Sequence, residues 1–289
     1  MYEIVLDSVL DTVRILPFLF VTYLLMEWME HRAGKKMEHW IKEARQYGPV
    51  AGGILGIVPQ CGFSAAAASL YAGGVISLGT LIAVFLSTSD EMLPILIGEQ
   101  VSGGLILKIL AIKLAAAVFA GCLIDIVMSR FMKKGNEPEH IHDLCESSHC
   151  HCHEYKGVKG ILLSALTHTL QIGLFLFAAS ILLNLAVEFI GEERLSNLIL
   201  NQPIAGELIA GLIGLIPNCA ASVIITKLYL AGAMGAGAML SGLLVGSGIG
   251  LLVLFRTNRN WKENLCILLI LYISGVVLGS VAGALPFLS

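Results

Sequence analysis

Two adjacent carboxylates stand inside an apolar segment, within the polar run formed by Ser87, Thr88, Ser89, Asp90 and Glu91. Apolar residues 81–86 precede the run, and residues 92–97 follow it. Carboxylates in lipid are costly unless they are paired, protonated or bound to a cation. Because neighbours in a helix point about 100° apart, we expect one carboxylate to bind cargo while the other pairs with Lys113 or carries a coupling proton. Alternatively, the span ends near Leu86 and the acids lie at the membrane interface.

Two other apolar stretches, 49–72 and 205–230, are each interrupted in the middle by a proline, an amide and a cysteine. Such a break frees backbone groups that only protein or a water-filled cavity can satisfy. We therefore expect the polar residues at both breaks to form a shared site near the membrane midplane; they are Gln60, Cys61, Ser64, Asn218, Cys219 and Ser222. The alternative is that proline and glycine only kink these helices, and that the small residues allow close packing.

A central segment holds five of the eight histidines and three of the seven cysteines: His140, His142, Cys145, His149, Cys150, His151, Cys152 and His153. Imidazole and thiolate groups at this density bind zinc, copper or similar ions. The segment lacks the paired spacing of a zinc finger and is flanked by polar residues. It is therefore interpreted as a cytoplasmic loop that captures or senses metal, with an inert linker as the alternative.

The elements that must position these residues are membrane helices. The chain has 289 residues, of which 56% are hydrophobic and 13% charged, whereas about a quarter of a soluble domain is charged. A span needs about 20 apolar residues. The predicted spans are 4–28, 75–97, 104–128, 160–187, 234–255 and 264–287. The net charge of −3 argues against nucleic acid as a partner.

The basic residues predict how the interrupted stretches lie. Lysine and arginine cluster in three loops, 32–45, 130–159 and 256–262. All three fall on the cytoplasmic side, as is usual for basic loops, only if 49–72 and 205–230 are hairpins that enter the membrane and return. Both termini are then outside.

The two halves of the chain repeat each other. Residues 53–89 align without a gap on 211–247, matching Pro59 with Pro217 and Cys61 with Cys219. We therefore predict an all-α polytopic membrane protein, an inverted repeat of halves with three spanning helices and one broken-helix hairpin each, ten helical segments in all. The predicted parts are the first repeat at 1–129, the His/Cys-rich loop at 130–158 and the second repeat at 159–289.

The paired motifs GILGIVPQCGFSAAAASLYAGG and GLIGLIPNCAASVIITKLYLAG, the LSTSDE run and the His/Cys-rich loop carry a family resemblance. They resemble the ten-helix heavy-metal exporter family, whose members have arsenic-efflux-like or manganese-transporter labels. The resemblance spans essentially the whole chain. It implies a transporter more strongly than it implies any one ion.

The leading hypothesis is therefore a secondary transporter, not an enzyme, that exports a metal or metalloid across a bacterial-type cytoplasmic membrane. The chain has no GxxxxGKS or GxxxxGKT nucleotide-binding motif, so an ion gradient is the expected energy source. Thiols favour arsenite or a soft metal, whereas oxygen ligands favour manganese. A metal sensor without transport is a second alternative, and an intramembrane hydrolase a third.

The expected partners follow from this hypothesis. They are the lipid bilayer, the metal or metalloid substrate and a coupling proton, with a homo-oligomer left open. No cofactor is expected beyond the transported ion.

Overall fold

The computed structural model describes residues 9–10, 12–13, 16–17, 19–25, 47–58, 61–89, 92–131, 158–190 and 203–284. Within these residues the regular secondary structure is helical, without a strand. The helices in chain order are α1 (described residues within 9–25), α2 (47–56), α3 (Cys61–Ala72), α4 (Leu78–Ser87), α5 (Met92–Gly98), α6 (Gly103–Phe131), α7 (Val158–Ile190), α8 (Pro203–Gly214), α9 (Cys219–Leu230), α10 (Ala236–Val245), α11 (Gly250–Thr257) and α12 (Trp261–Gly283).

Five helical stretches in the described part of the chain are long and apolar enough to cross a membrane. They are Leu78–Gly98, Gly103–Arg130, Ile161–Ala178, Ala236–Thr257 and Trp261–Gly283. These stretches correspond to five of the six predicted spans, and the sixth, 4–28, corresponds to α1 where it is described. The prediction of an all-helical protein with several apolar spans is confirmed.

Each of the two interrupted stretches consists of two short helices. In the first, α2 ends at residue 56 and α3 begins at Cys61; in the second, α8 ends at Gly214 and α9 begins at Cys219. Helices of 10 to 12 residues rise about 15–18 Å, roughly half the hydrocarbon thickness. The helix ends therefore lie where the proline-amide-cysteine motif predicts them.

Two predicted continuous spans are broken as well, and this corrects the reading of 75–97 and 234–255 as uninterrupted helices. In the first, α4 ends at Ser87 and α5 begins at Met92; in the second, α10 ends at Val245 and α11 begins at Gly250. Hydroxyl groups compete for backbone carbonyls at the first break. At the second, the C-cap Gly246 is extended, with a ψ of 91°, and Gly248 within the break takes a left-handed φ of 55°.

Equivalent helices of the two halves begin a constant number of residues apart. Residue 53 aligns with residue 211 in the sequence, an offset of 158. The same offset relates the starts of α3 and α9, α4 and α10, α5 and α11, and α6 and α12. The turns agree too, because Gly74 and Gly232 have φ values of 71° and 70°.

Packing inside each half recurs at the same offset. A Cβ atom at Gly53 would lie 3.0 Å from Val118, and one at Gly211 would lie 2.6 Å from Val276. Gly56 likewise approaches the carbonyl of Val84, as Gly214 approaches the carbonyl of Gly242. Glycines therefore bring the short helices into backbone contact with their neighbours in both halves.

The halves exchange contacts reciprocally. Helix α3 packs against α11 of the other half, and the equivalent helix α9 packs against α5. These two helix pairs belong to two separate apolar clusters, one containing Ala65 and Leu251, the other containing Ile224 and Leu96.

Candidate functional site

A small, partly enclosed cavity lies where three helix breaks meet. Its polar lining comes from Thr88 and Ser89 between α4 and α5, and from Asn218 and Ser222 at the start of α9. Glycines complete much of the wall: Gly214, Gly242, Gly246 and Gly248. The cavity volume is about 20 Å³, the space that roughly one water molecule or a small ion requires. Four of the residues predicted to bind substrate therefore share one cavity.

The break after α4 is held by its own hydroxyl groups. Ser87 Oγ and Thr88 Oγ1 donate to the carbonyl of Val84 at 3.1 and 2.7 Å, and Ser89 Oγ donates to the carbonyl of Ser87 at 3.0 Å. All three serine and threonine side chains are buried. Ser87 lies against Gly56 on α2 rather than lining the cavity. This gives Ser87 a structural position, whereas Thr88 and Ser89 reach the predicted site.

Asn218 has a defined local role. Its φ and ψ of −143° and 144° are extended, and its Oδ1 accepts a hydrogen bond of 3.1 Å from the backbone N–H of Ala220. Asn218 is therefore the N-cap of α9, a position that favours asparagine. The N-terminal end of α9 has partial positive charge and begins beside the cavity.

A fully buried lysine joins two of the breaks. Lys113 on α6 donates from Nζ to the carbonyl of Thr88 and, at 2.9 Å, to the carbonyl of Leu243 on α10. Thr88 and Leu243 both line the cavity. The sequence pointed to Lys113 only as a partner for Asp90 or Glu91. Its bond to α10, 130 positions away, has no signature in the local sequence.

The two ends of α4 face opposite charges, both from α6. At the N-terminal end, Asp125 accepts from Ser77 Oγ at 2.7 Å and from the backbone N–H of Gly79 at 2.8 Å. At the C-terminal end, Lys113 binds the carbonyl of Thr88. Each charge opposes the partial charge of the helix end that it faces, so α6 stabilises α4 at both ends.

The hydroxyls of Ser64, a predicted substrate ligand, and of Ser247, the repeat equivalent of Ser89, do not line the cavity. Ser64 is buried against Gly250 of the other half and is not among the cavity residues. Ser247 aligns with Ser89 in the repeat, and its buried Oγ has no hydrogen-bond partner among the described residues. The alignment of Ser89 with Ser247 can be predicted from the sequence, but the burial of Ser247 cannot.

Several predicted residues lie outside the described part of the chain. Among the substrate ligands these are Gln60, Asp90 and Glu91, together with the side chains of Cys61 and Cys219, although both cysteines begin helices. The predicted metal-binding loop is outside as well: His140, His142, Cys145, His149, Cys150, His151, Cys152 and His153. Among the described residues there is no group of three or more histidine, cysteine, aspartate or glutamate residues able to hold a metal.

Apolar spans interrupted around a polar cavity define an integral, multi-pass membrane protein. The chain belongs to the family described as "Putative, 10TM heavy-metal exporter", whose model matches residues 1–176 of the 289. This match confirms the family resemblance and covers the first paired motif, the LSTSDE run and the His/Cys-rich loop, whereas the second paired motif, at 211–232, lies beyond the matched residues. No curated protein and no solved structure matches the chain.

Proposed function

We propose that the protein is a secondary transporter that exports a heavy metal or metalloid by alternating access. The observation that carries this proposal is the meeting of three helix breaks around one polar cavity. Irregular backbone at membrane depth is tolerated where it is buried in protein or lines a cavity, and broken helices bind cargo in many secondary transporters. Membership of a family of heavy-metal exporters supports the same class.

The two halves are proposed to have opposite orientations in the membrane. The first broken span begins at Leu78, just after Tyr71 on α3, whereas the second ends at Thr257, just before α12. The hydrogen bond from Tyr71 to Glu263 on α12 brings these two ends together. This bond supports the proposal that the equivalent spans α4–α5 and α10–α11 would run in opposite directions, as an inverted repeat requires.

The end of the molecule around Tyr71 is assigned to the cytoplasmic side. Arg256, Arg259 and Lys262 lie between α11 and α12 or beside that junction, and cytoplasmic loops are enriched in such residues. The hairpin α2–α3 would then enter from the inside and α8–α9 from the outside. Both termini would be outside.

The reciprocal helix pairs supply the proposed movement. The pair α3 and α11, which are in contact, would then lie on the cytoplasmic side, and the contacting pair α9 and α5 on the outer side. Rocking of one half against the other would loosen one pair while it tightens the other. The cavity would then open to one side of the membrane at a time.

The cargo would be held by groups at the breaks. Hydroxyls of Thr88, Ser89 and Ser222 offer oxygen ligands, and the thiols of Cys61 and Cys219 would add soft ligands for arsenite or a soft metal. Asp90 or Glu91 would carry the coupling proton. The His/Cys-rich loop would capture metal on the cytoplasmic side.

A manganese transporter is the second candidate, because the described lining contains only oxygen-bearing polar side chains, which hard cations prefer. A sensor is the third. It would give a metal-dependent signal through the His/Cys-rich loop without net flux.

Transport in inside-out vesicles tests the proposal. Vesicles would be incubated in a panel of arsenite, zinc, copper and manganese, with and without a pH gradient. Ser222→Ala should lower uptake of the true substrate about tenfold, if a lost ligand is worth about 1.4 kcal/mol. Ser129→Ala, on the exposed face of α6, is the matched control and should not. Vesicles that accumulate no panel member under either condition would refute export.

A further inference from the structure

The C-terminal ends of two half-helices meet at one side chain. Thr88 is the C-cap residue of α4, and Leu243 belongs to the last turn of α10. Carbonyls of a last turn lack partners within their helix and carry the negative end of its dipole. Both of these carbonyls accept hydrogen bonds from Lys113 Nζ. Two negative ends, one from each half, therefore share one cation.

We propose that these carbonyls form a site for a monovalent cation, and that the Lys113 ammonium occupies it as a permanent, covalently held substitute. Half-helix C-terminal ends and unwound carbonyls are the groups that bind sodium in secondary transporters. An ammonium ion matches such a site because its N–H groups point at several acceptors at once. Since the substitute cannot dissociate, neither sodium nor potassium is expected to bind here in the wild-type protein.

The other half indicates that packing alone does not require a lysine. Offset by 158 residues, the position equivalent to Lys113 on α6 is Leu271 on α12, and Leu271 is also fully buried. A buried apolar side chain therefore suits this place in the helix pair. Burying an ammonium is costly unless its hydrogen bonds are made. The hydrogen bonds to the carbonyls of Thr88 and Leu243 therefore explain why a lysine can be buried at this position.

The occupant of the carbonyl site is independent of the transported substrate. The two carbonyls define this site whether or not a carboxylate from Asp90 or Glu91 also reaches the ammonium. A binding and stability measurement therefore tests which cation occupies it.

The full-length Lys113→Ala protein would be purified in detergent and heated in methylammonium chloride, sodium chloride or tetramethylammonium chloride. We expect a Tm several degrees below wild type, with at least half of the loss restored by millimolar methylammonium in a saturable manner. Tetramethylammonium has the same charge but no N–H group and should not restore it. Wild type and Lys108→Ala, altered at an exposed lysine on the same helix, should respond equally to all three salts.

Lys113→Met is the second variant, because methionine fills most of the same space without charge. We expect it to have a lower Tm than wild type. A methionine variant as stable as wild type would overturn the proposal, since an apolar filler would then suffice. A folded Lys113→Ala protein whose Tm is the same in methylammonium and tetramethylammonium would overturn it too. If Lys113→Ala does not fold, the methionine variant decides.

Discussion

The Tyr71 hydroxyl donates a hydrogen bond of 2.5 Å to Glu263 Oε1, across 192 positions of sequence. Tyr71 lies in the last turn of α3, and Glu263 lies in the first turn of α12. The bond therefore links the first half to the second at one end of the molecule. A neutral donor with a charged acceptor makes one of the stronger kinds of hydrogen bond.

Tyr71→Phe removes this link without changing the ring. We expect a loss of about 1 kcal/mol, because both side chains are half-buried and hydrogen bonds to charged groups contribute about 1.5–3 kcal/mol when well shielded. The Tm in detergent should fall by a few degrees. Tyr229→Phe is the control, since Tyr229 aligns with Tyr71 in the second half. Equal Tm losses in the two variants would contradict a specific role for the Tyr71–Glu263 bond.

Position 214 is expected to tolerate no side chain, because the backbone of Gly214 contacts the backbone of a neighbouring helix. A Cβ atom there would meet the carbonyl of Gly242, which belongs to a buried helix and cannot rotate away. Gly214→Ala should therefore destabilise the protein by about 1–3 kcal/mol. Gly104→Ala, where a Cβ atom would meet nothing within 4 Å, should be neutral or slightly stabilising. Thermal unfolding of the two variants side by side checks the contrast.

The membrane spans and the first set of breaks could be predicted from the sequence, because length, apolarity and proline act locally. The break after Ser87 also has a local signal, because Pro94 in the first turn of α5 has no N–H with which to continue a preceding helix. The break after Val245 has no proline, and glycines such as those found there also occur inside continuous membrane helices. A tertiary interaction distinguishes these broken helices from continuous ones, since Lys113 donates hydrogen bonds to a backbone carbonyl at each break.

Asn218 gives the opposite lesson. Its place next to a proline and directly before a helical segment fits an N-cap, although the repeat alone predicts only a substrate ligand. The hydrogen bond from Ala220 N–H accounts for its side-chain oxygen. The local sequence therefore contains a structural signal for Asn218 that the comparison of the two halves does not reveal.

Asp90 and Glu91 directly follow Ser89, which lines the cavity. We expect Asp90→Asn or Glu91→Gln to abolish pH-gradient-dependent flux while the protein still reaches the membrane, because a costly carboxylate in lipid is better explained by function than by stability. Vesicle uptake normalised to protein content measures this. Wild-type flux in both single variants would assign the acids to an interface.

The two cysteines at the starts of α3 and α9 distinguish the soft cargo from the hard one. If arsenite or a soft metal is carried, Cys61→Ser or Cys219→Ser exchanges a soft ligand for a weak, hard one, and resistance of cells should fall at least tenfold. If manganese is carried, either change should have little effect. Cys266→Ser, at an exposed cysteine on α12, is the control. Full arsenite resistance in the double variant would favour manganese.

The charges at the two ends of α4 have a mechanical consequence. Asp125 and Lys113 are 12 positions apart on α6, a rise of about 18 Å, and they grip α4 at its start and at its C-cap. The two helices are therefore tied together at both ends of α4. Because Lys113 also donates to the carbonyl of Leu243 in the opposite half, a movement of one half against the other would have to pivot at this ammonium or break one of its hydrogen bonds.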